Sequence, residues 1–161
     1  MLLMANVVGT GDLSAQPASI KPPSSPDTYL GVAYLMMEGV KVLANARPIP
    51  AVAHALLAAH TLECALKAYL SRDGSDSAVR APKLRHNLNK LWEMASKDGL
   101  TISRSPPDWA KGLSHVHDSP YYLRYSTKVH VISTPPVEPM TSELRSLLES
   151  VTRQVRQRGP K

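Results

Sequence analysis

Hydrophobic positions recur along most of the chain at the spacing of a helix. Tyr29, Ala33, Met36, Val40 and Leu43 repeat every three or four residues, and Ser25 before Pro26 offers a cap followed by a first-turn proline. Together they predict a first helix from about residue 26 to 46. Pro48 and Pro50 end it and leave room only for a tight turn between antiparallel neighbours. The next stretch, AVAHALLAAHTLECALKAYL from Ala51 to Leu70, is the longest apolar run without proline or glycine, and alanine and leucine dominate it. Val52, Leu56, Ala59, Leu66 and Leu70 share one side of this second helix and are expected to face the core. Glu63 falls in the middle of that stripe with His60 and Lys67 at its border, so the apolar side carries a polar ridge. A carboxylate is seldom buried without a partner. Lys67, four residues on, is one candidate, and from elsewhere in the chain Glu63 is expected to meet Arg124 or His86.

After a polar loop from Ser71 to Pro82, Leu84, Leu88, Leu91, Trp92 and Ala95 mark a short third helix that begins just after His86, with Asn87 as its cap, and ends near Gly99. Ser105, Pro106 and Asp108 signal a fourth helix with Trp109, Leu113 and Val116 on its inner side, stopped by Pro120. Residues 119–136 break the helical rhythm. Thr127, Val129, Val131, Ile132 and Thr134 are β-branched, which favours an extended arm or a short hairpin. Pro139 opens a last helix in which Leu144, Leu147, Leu148, Val151 and Val155 form a stripe ending by Gly159. The pattern as a whole predicts an all-α, up-and-down bundle of four or five helices, one domain over residues 26–158 behind a flexible tail of residues 1–25.

Composition adds a charge. The chain of 161 residues carries 19 lysines and arginines against 13 aspartates and glutamates, a formal net charge of +6. Arg72, Arg80, Lys83, Arg85 and Lys90 cluster after the second helix, and Arg153, Arg156, Arg158 and Lys161 close the chain. Such patches either draw phosphate and acidic partners or simply solubilise the surface. No run is long and apolar enough for a membrane span, and the first residues lack a basic signal-peptide region, so a cytoplasmic protein that does not enter the membrane is expected. The single cysteine, Cys64, reads as a small buried side chain.

Six histidines raise the question of a metal. His60 and Glu63 are three apart on one helix, but a carboxylate-bridged bundle site needs matching pairs from other helices, and none is present. His115 and His117 point to nearly opposite sides of a helix. No metal and no cofactor are expected, and glycine-rich phosphate loops and a serine-hydrolase elbow are absent. What remains is the grouping Tyr121, Tyr122, Arg124, Tyr125, His130. Arginine can clamp a phosphate, histidine can move a proton and tyrosine can stack on a base. The structural alternative is that the tyrosines pack over the bundle and Arg124 neutralises Glu63.

AHTLECALKAYL (59–70), LRHNLNKLWEMA (84–95) and YYLRY (121–125) resemble the HEPN-type domains, a family of small helical bundles associated with nucleotides and RNA. The resemblance implies a homodimer in a prokaryotic defence or toxin-antitoxin setting, acting on RNA or a nucleotide or alongside a cognate partner protein. Many members are metal-independent ribonucleases with four to six residues between an arginine and a histidine, and Arg124 and His130, with five residues between them, have that spacing. In this reading Arg124 stabilises the pentavalent phosphate and His130 is the acid or base. Tyr125 stands where such enzymes usually carry a polar residue, often asparagine, aspartate or histidine, and it favours the binding reading. There Arg80, Lys83, Arg85, Arg124 and Lys128 hold phosphates and Tyr122 and Tyr125 stack. A third reading is a structural dimerisation module without ligand.

Overall fold

Helix α2 (Ala51–Leu70) lies at the centre of the computed structural model, which describes residues 25–125 and 130–157. The other helices are α1 (Asp27–Ala44), α3 (Leu88–Lys97), α4 (Asp108–His117) and α5 (Val137–Gln157), with no strand among the described residues. The all-α class and the bounds of α2 agree with the sequence pattern.

The stripe assigned to α2 does not. Val52 is 43% exposed, and Leu56 and Leu70 are only partly buried, whereas every residue from Thr61 to Tyr69 is buried. The physical reason is that α1, α3, α4 and α5 all pack on α2, so its second half has no solvent side. Alanine makes this possible: Ala55, Ala58, Ala59, Ala65 and Ala68 are buried and let neighbouring backbones approach. On α1, Gly39 does the same, because a Cβ there would come within 2.6 Å of Leu57 Cδ1. Tyr29 of α1 lies against Lys67 of α2, with 5.9 Å from Nζ to the ring centre. The two contacts, Gly39 to Leu57 and Tyr29 to Lys67, set α1 and α2 antiparallel.

Helix α1 starts later than the pattern suggested. Pro26 is the residue before the helix, no side chain caps it, and Asp27 supplies the acidic first turn. Asn87 caps α3 as expected, accepting from the Lys90 N–H at 3.0 Å. Its far end is tied to α2: Tyr69 Oη donates to the Asp98 carbonyl at 3.0 Å, and Arg72 reaches the Asp98 carboxylate at 2.6 Å while lying over the Tyr69 ring. The segment between them is less open than a polar loop, since it holds a 3₁₀ turn at Ala78–Arg80 with Val79 buried. Trp92 and Trp109 meet edge to face, joining α3 to α4, and the Trp109 indole donates to Glu143 of α5. In α5 the residue Glu138 is extended, so regular helix begins at Pro139, and the Glu138 carboxylate accepts from Ser142 Oγ at 2.8 Å.

The arm is neither strand nor hairpin where it is described. Residues 118–125 form tight turns, in which the Arg124 and Tyr125 N–H groups both donate to the Tyr121 carbonyl and Tyr121 adopts a φ of 64°. Leu123 returns to α4 by donating to the Val116 carbonyl and is buried. Residues 130–136 are irregular and pass over α4 at Gly112, where a Cβ would lie 3.0 Å from Pro135 Cγ. Thr127, Lys128 and Val129 lie outside the described residues.

Candidate functional site

Glu63 is buried at the middle of α2, and both carboxylate oxygens are occupied. Lys67, one turn along, donates from Nζ to Oε1 at 2.7 Å and is itself buried. Oε2 receives two imidazoles: His117 Nε2 at 2.6 Å, from the last residue of α4, and His86 Nδ1 at 3.1 Å, from the segment leading into α3. Burial by itself would raise the carboxyl pKa. The hydrogen bonds from His117 and Lys67, with the Lys67 charge and His86, reverse that and hold it at about 2, so Glu63 is a carboxylate at neutral pH.

Three further groups build the outer wall. The His117 ring touches His60 and His86 edge to face, with centres 5.5 Å and 5.9 Å away. His86 in turn packs on Tyr121. Arg124 Nη2 lies 3.0 Å from His60 Nε2. Burial lowers the His60 pKa against the opposing pull of Glu63, and His117, Arg124 and His86 lower it too, so Nε2 carries a lone pair that accepts from Arg124. The turn at 118–125 that presents Arg124 is fixed to the α3 cap, because Asn87 Nδ2 donates to the Asp118 carboxylate at 2.9 Å.

The charges do not cancel. Lys67 already neutralises Glu63, and Arg124, which is exposed, pairs with no carboxylate among the described residues. Arg80, Lys83 and Arg85 are exposed on the segment that delivers His86 to the site and likewise form no salt bridge among the described residues. The result is a buried polar network in which the Glu63 carboxylate is saturated while His117 Nδ1 has no hydrogen-bond partner among the described residues, and which ends at a cationic mouth.

Several expectations change here. Glu63 meets His86, one of its two expected contacts, but Arg124 sits on His60 rather than on Glu63. Lys67 closes the ridge from within α2. Tyr122 is half-buried against the core, Tyr125 is 65% exposed, and Tyr121 packs on His86. His130 is exposed, and the hydrogen bond that Arg124 makes among the described residues goes to His60 and not to His130. His117 was read only as half of an unpromising pair with His115. The two do diverge, His115 outward and His117 into the centre. Cys64 is buried and its thiol is pushed up to about 11, first by burial and then by Glu63, which keeps it protonated.

No family model, curated protein or solved structure matches the chain.

Proposed function

We propose that the chain is a HEPN-like protein that binds RNA or a nucleotide, with the phosphate held at the mouth formed by Arg124, His60 and His86. The observation that carries this reading is the uncompensated charge of Arg124 above a network whose one carboxylate is already saturated. An anion arriving there loses no partner and displaces none. Arginine offers a forked donor to phosphate oxygens, and Arg80, Lys83 and Arg85 extend the cationic surface along the adjoining segment. Exposed Tyr125 follows Arg124 directly and gives a base a surface to stack on. A homodimer is part of the proposal. It draws support from Leu35 and Val42, 66% and 69% exposed and two turns apart on α1, an apolar face suited to a second copy.

The test is fluorescence anisotropy with a labelled single-stranded RNA. Affinity is expected to fall linearly with salt on logarithmic axes, and Arg124→Ala to weaken binding by about 1–3 kcal/mol while making that slope shallower. Wild-type protein that binds no RNA at low salt, or binds with no salt dependence, overturns the proposal.

A second reading, metal-independent RNA cleavage, is favoured by one contact. In this reading Arg124 turns from His60 Nε2 to the phosphate, and the freed Nε2 lone pair takes the proton of a 2′-hydroxyl, the role that the HEPN resemblance implies for His130. Incubation of an RNA pool in EDTA decides it: cleavage lost in Arg124→Ala and His60→Ala but retained in His130→Ala supports this assignment, and intact RNA with wild-type protein excludes it.

A further inference from the structure

We propose that Glu63, His86 and His117 form a binding site for a single divalent transition-metal ion of the zinc class. The three side chains come from α2, the segment before α3 and the end of α4, and one donor atom from each lies within 4.8 Å of the others. Two imidazole nitrogens aim at the same carboxylate oxygen from different directions. In a metal site the ligands sit about 2.0–2.1 Å from the ion, which spaces tetrahedral donors roughly 3.3 Å apart. The 2.6 Å and 3.1 Å separations need only a modest retreat of each ring to reach that spacing.

The surroundings are those of a prepared ligand set. Lys67 grips Oε1 and so fixes the carboxylate with Oε2 turned toward the histidines, the kind of outer hydrogen bond that orients a ligating carboxylate. His117 is fully buried, and its Nδ1 has no hydrogen-bond partner among the described residues. No partner therefore locks the tautomer of this ring, which is held by the edges of His60 and His86 and can present at Nε2 either an N–H to Glu63 or a lone pair to an ion. When the ion enters, each neutral ring moves its proton to the nitrogen facing away, and no net charge leaves the protein. Two imidazoles and one carboxylate suit zinc, cobalt or iron rather than magnesium or calcium, which prefer all-oxygen shells. With three protein ligands the ion keeps an open position. Lys67 and Arg124 add positive charge nearby, so an anion, hydroxide or phosphate, is the natural fourth ligand.

The inference is independent of whether the mouth binds RNA, and its readout needs none. The full chain, stripped of metal with chelator, is titrated with Co²⁺ and followed by visible absorption, with protein-bound metal counted after gel filtration. One equivalent per chain is expected, with intense visible bands of four- or five-coordinate cobalt that Zn²⁺ bleaches. His86→Gln and His117→Gln are each expected to weaken binding by more than about 100-fold, whereas His115→Gln, at an exposed position on the same helix, leaves it unchanged. His86 is only partly buried, so its variant serves if His117→Gln fails to fold. Absence of stoichiometric cobalt, or bands that persist in folded His86→Gln, overturns the assignment.

Discussion

Glu63→Gln unfolds with about 3–5 kcal/mol less free energy than the parent chain when both are compared in chelator-treated buffer by urea denaturation. The substitution keeps the shape of the side chain and removes its charge. Lys67 is then a buried ammonium without a counter-ion, with little of its side chain open to water. The new amide also replaces one acceptor oxygen by a donor, so it cannot satisfy Lys67, His86 and His117 at once. The cost comes from the stranded charge, which Lys67→Met relieves, so the double variant recovers part of the loss. A single variant within about 1 kcal/mol of the parent would mean that the network contributes little to the fold.

The second large effect is acid lability. The Glu63 carboxyl lies at about 2 in the folded chain against an ordinary value of 4.5. A group depressed in this way favours the folded state while ionised. Its contribution is fully present above pH 4.5 and is lost as the pH falls through 4.5 toward 2, in total about 3 kcal/mol. An earlier decline precedes it. His54 and His60 are held below their ordinary value of 6.5, His54 chiefly by burial beneath α5 and His60 chiefly by burial in the network. Protons bind them better in the unfolded chain, so stability starts to fall as the pH drops below 6.5. Urea midpoints measured from pH 7 to 2.5 are expected to show both phases, and Glu63→Gln to lack the lower one. A parent profile flat between pH 5 and 3 would contradict the assignment of Glu63 as the buried carboxylate.

The helices were legible because their signals are local. Asn87 caps α3 from the sequence position where a cap was read, and α2 spans the segment that its alanines and leucines marked. What the pattern could not supply was how many neighbours a helix has. A helix packed on most sides loses the contrast between faces that a stripe relies on, and Val52 was therefore placed inside while it is outside. The site was legible only in part. Glu63, Lys67 and His86 stood out because a carboxylate in an apolar run demands partners. His117 did not, since its approach to Glu63 depends on how α4 docks, and the sole local signal was a histidine on the inner side of a helix next to Val116. The sequence spacing of Arg124 and His130 suggested a pair, whereas the turn around Tyr121 carries Arg124 back toward α2 and His60 instead.

Complete enclosure of α2 from Thr61 to Tyr69 has a consequence for exchange with solvent. Displacing any one of α1, α3, α4 and α5 leaves the others packed on α2. Its amide hydrogens are therefore expected to trade with deuterium at the rate of global unfolding, which hydrogen-exchange measurement checks and which would make this half-helix a gauge of global stability within the native protein. Arg124 and His60 sit at the edge of that gauge, so a ligand that holds them slows the same amides only through its effect on the whole fold.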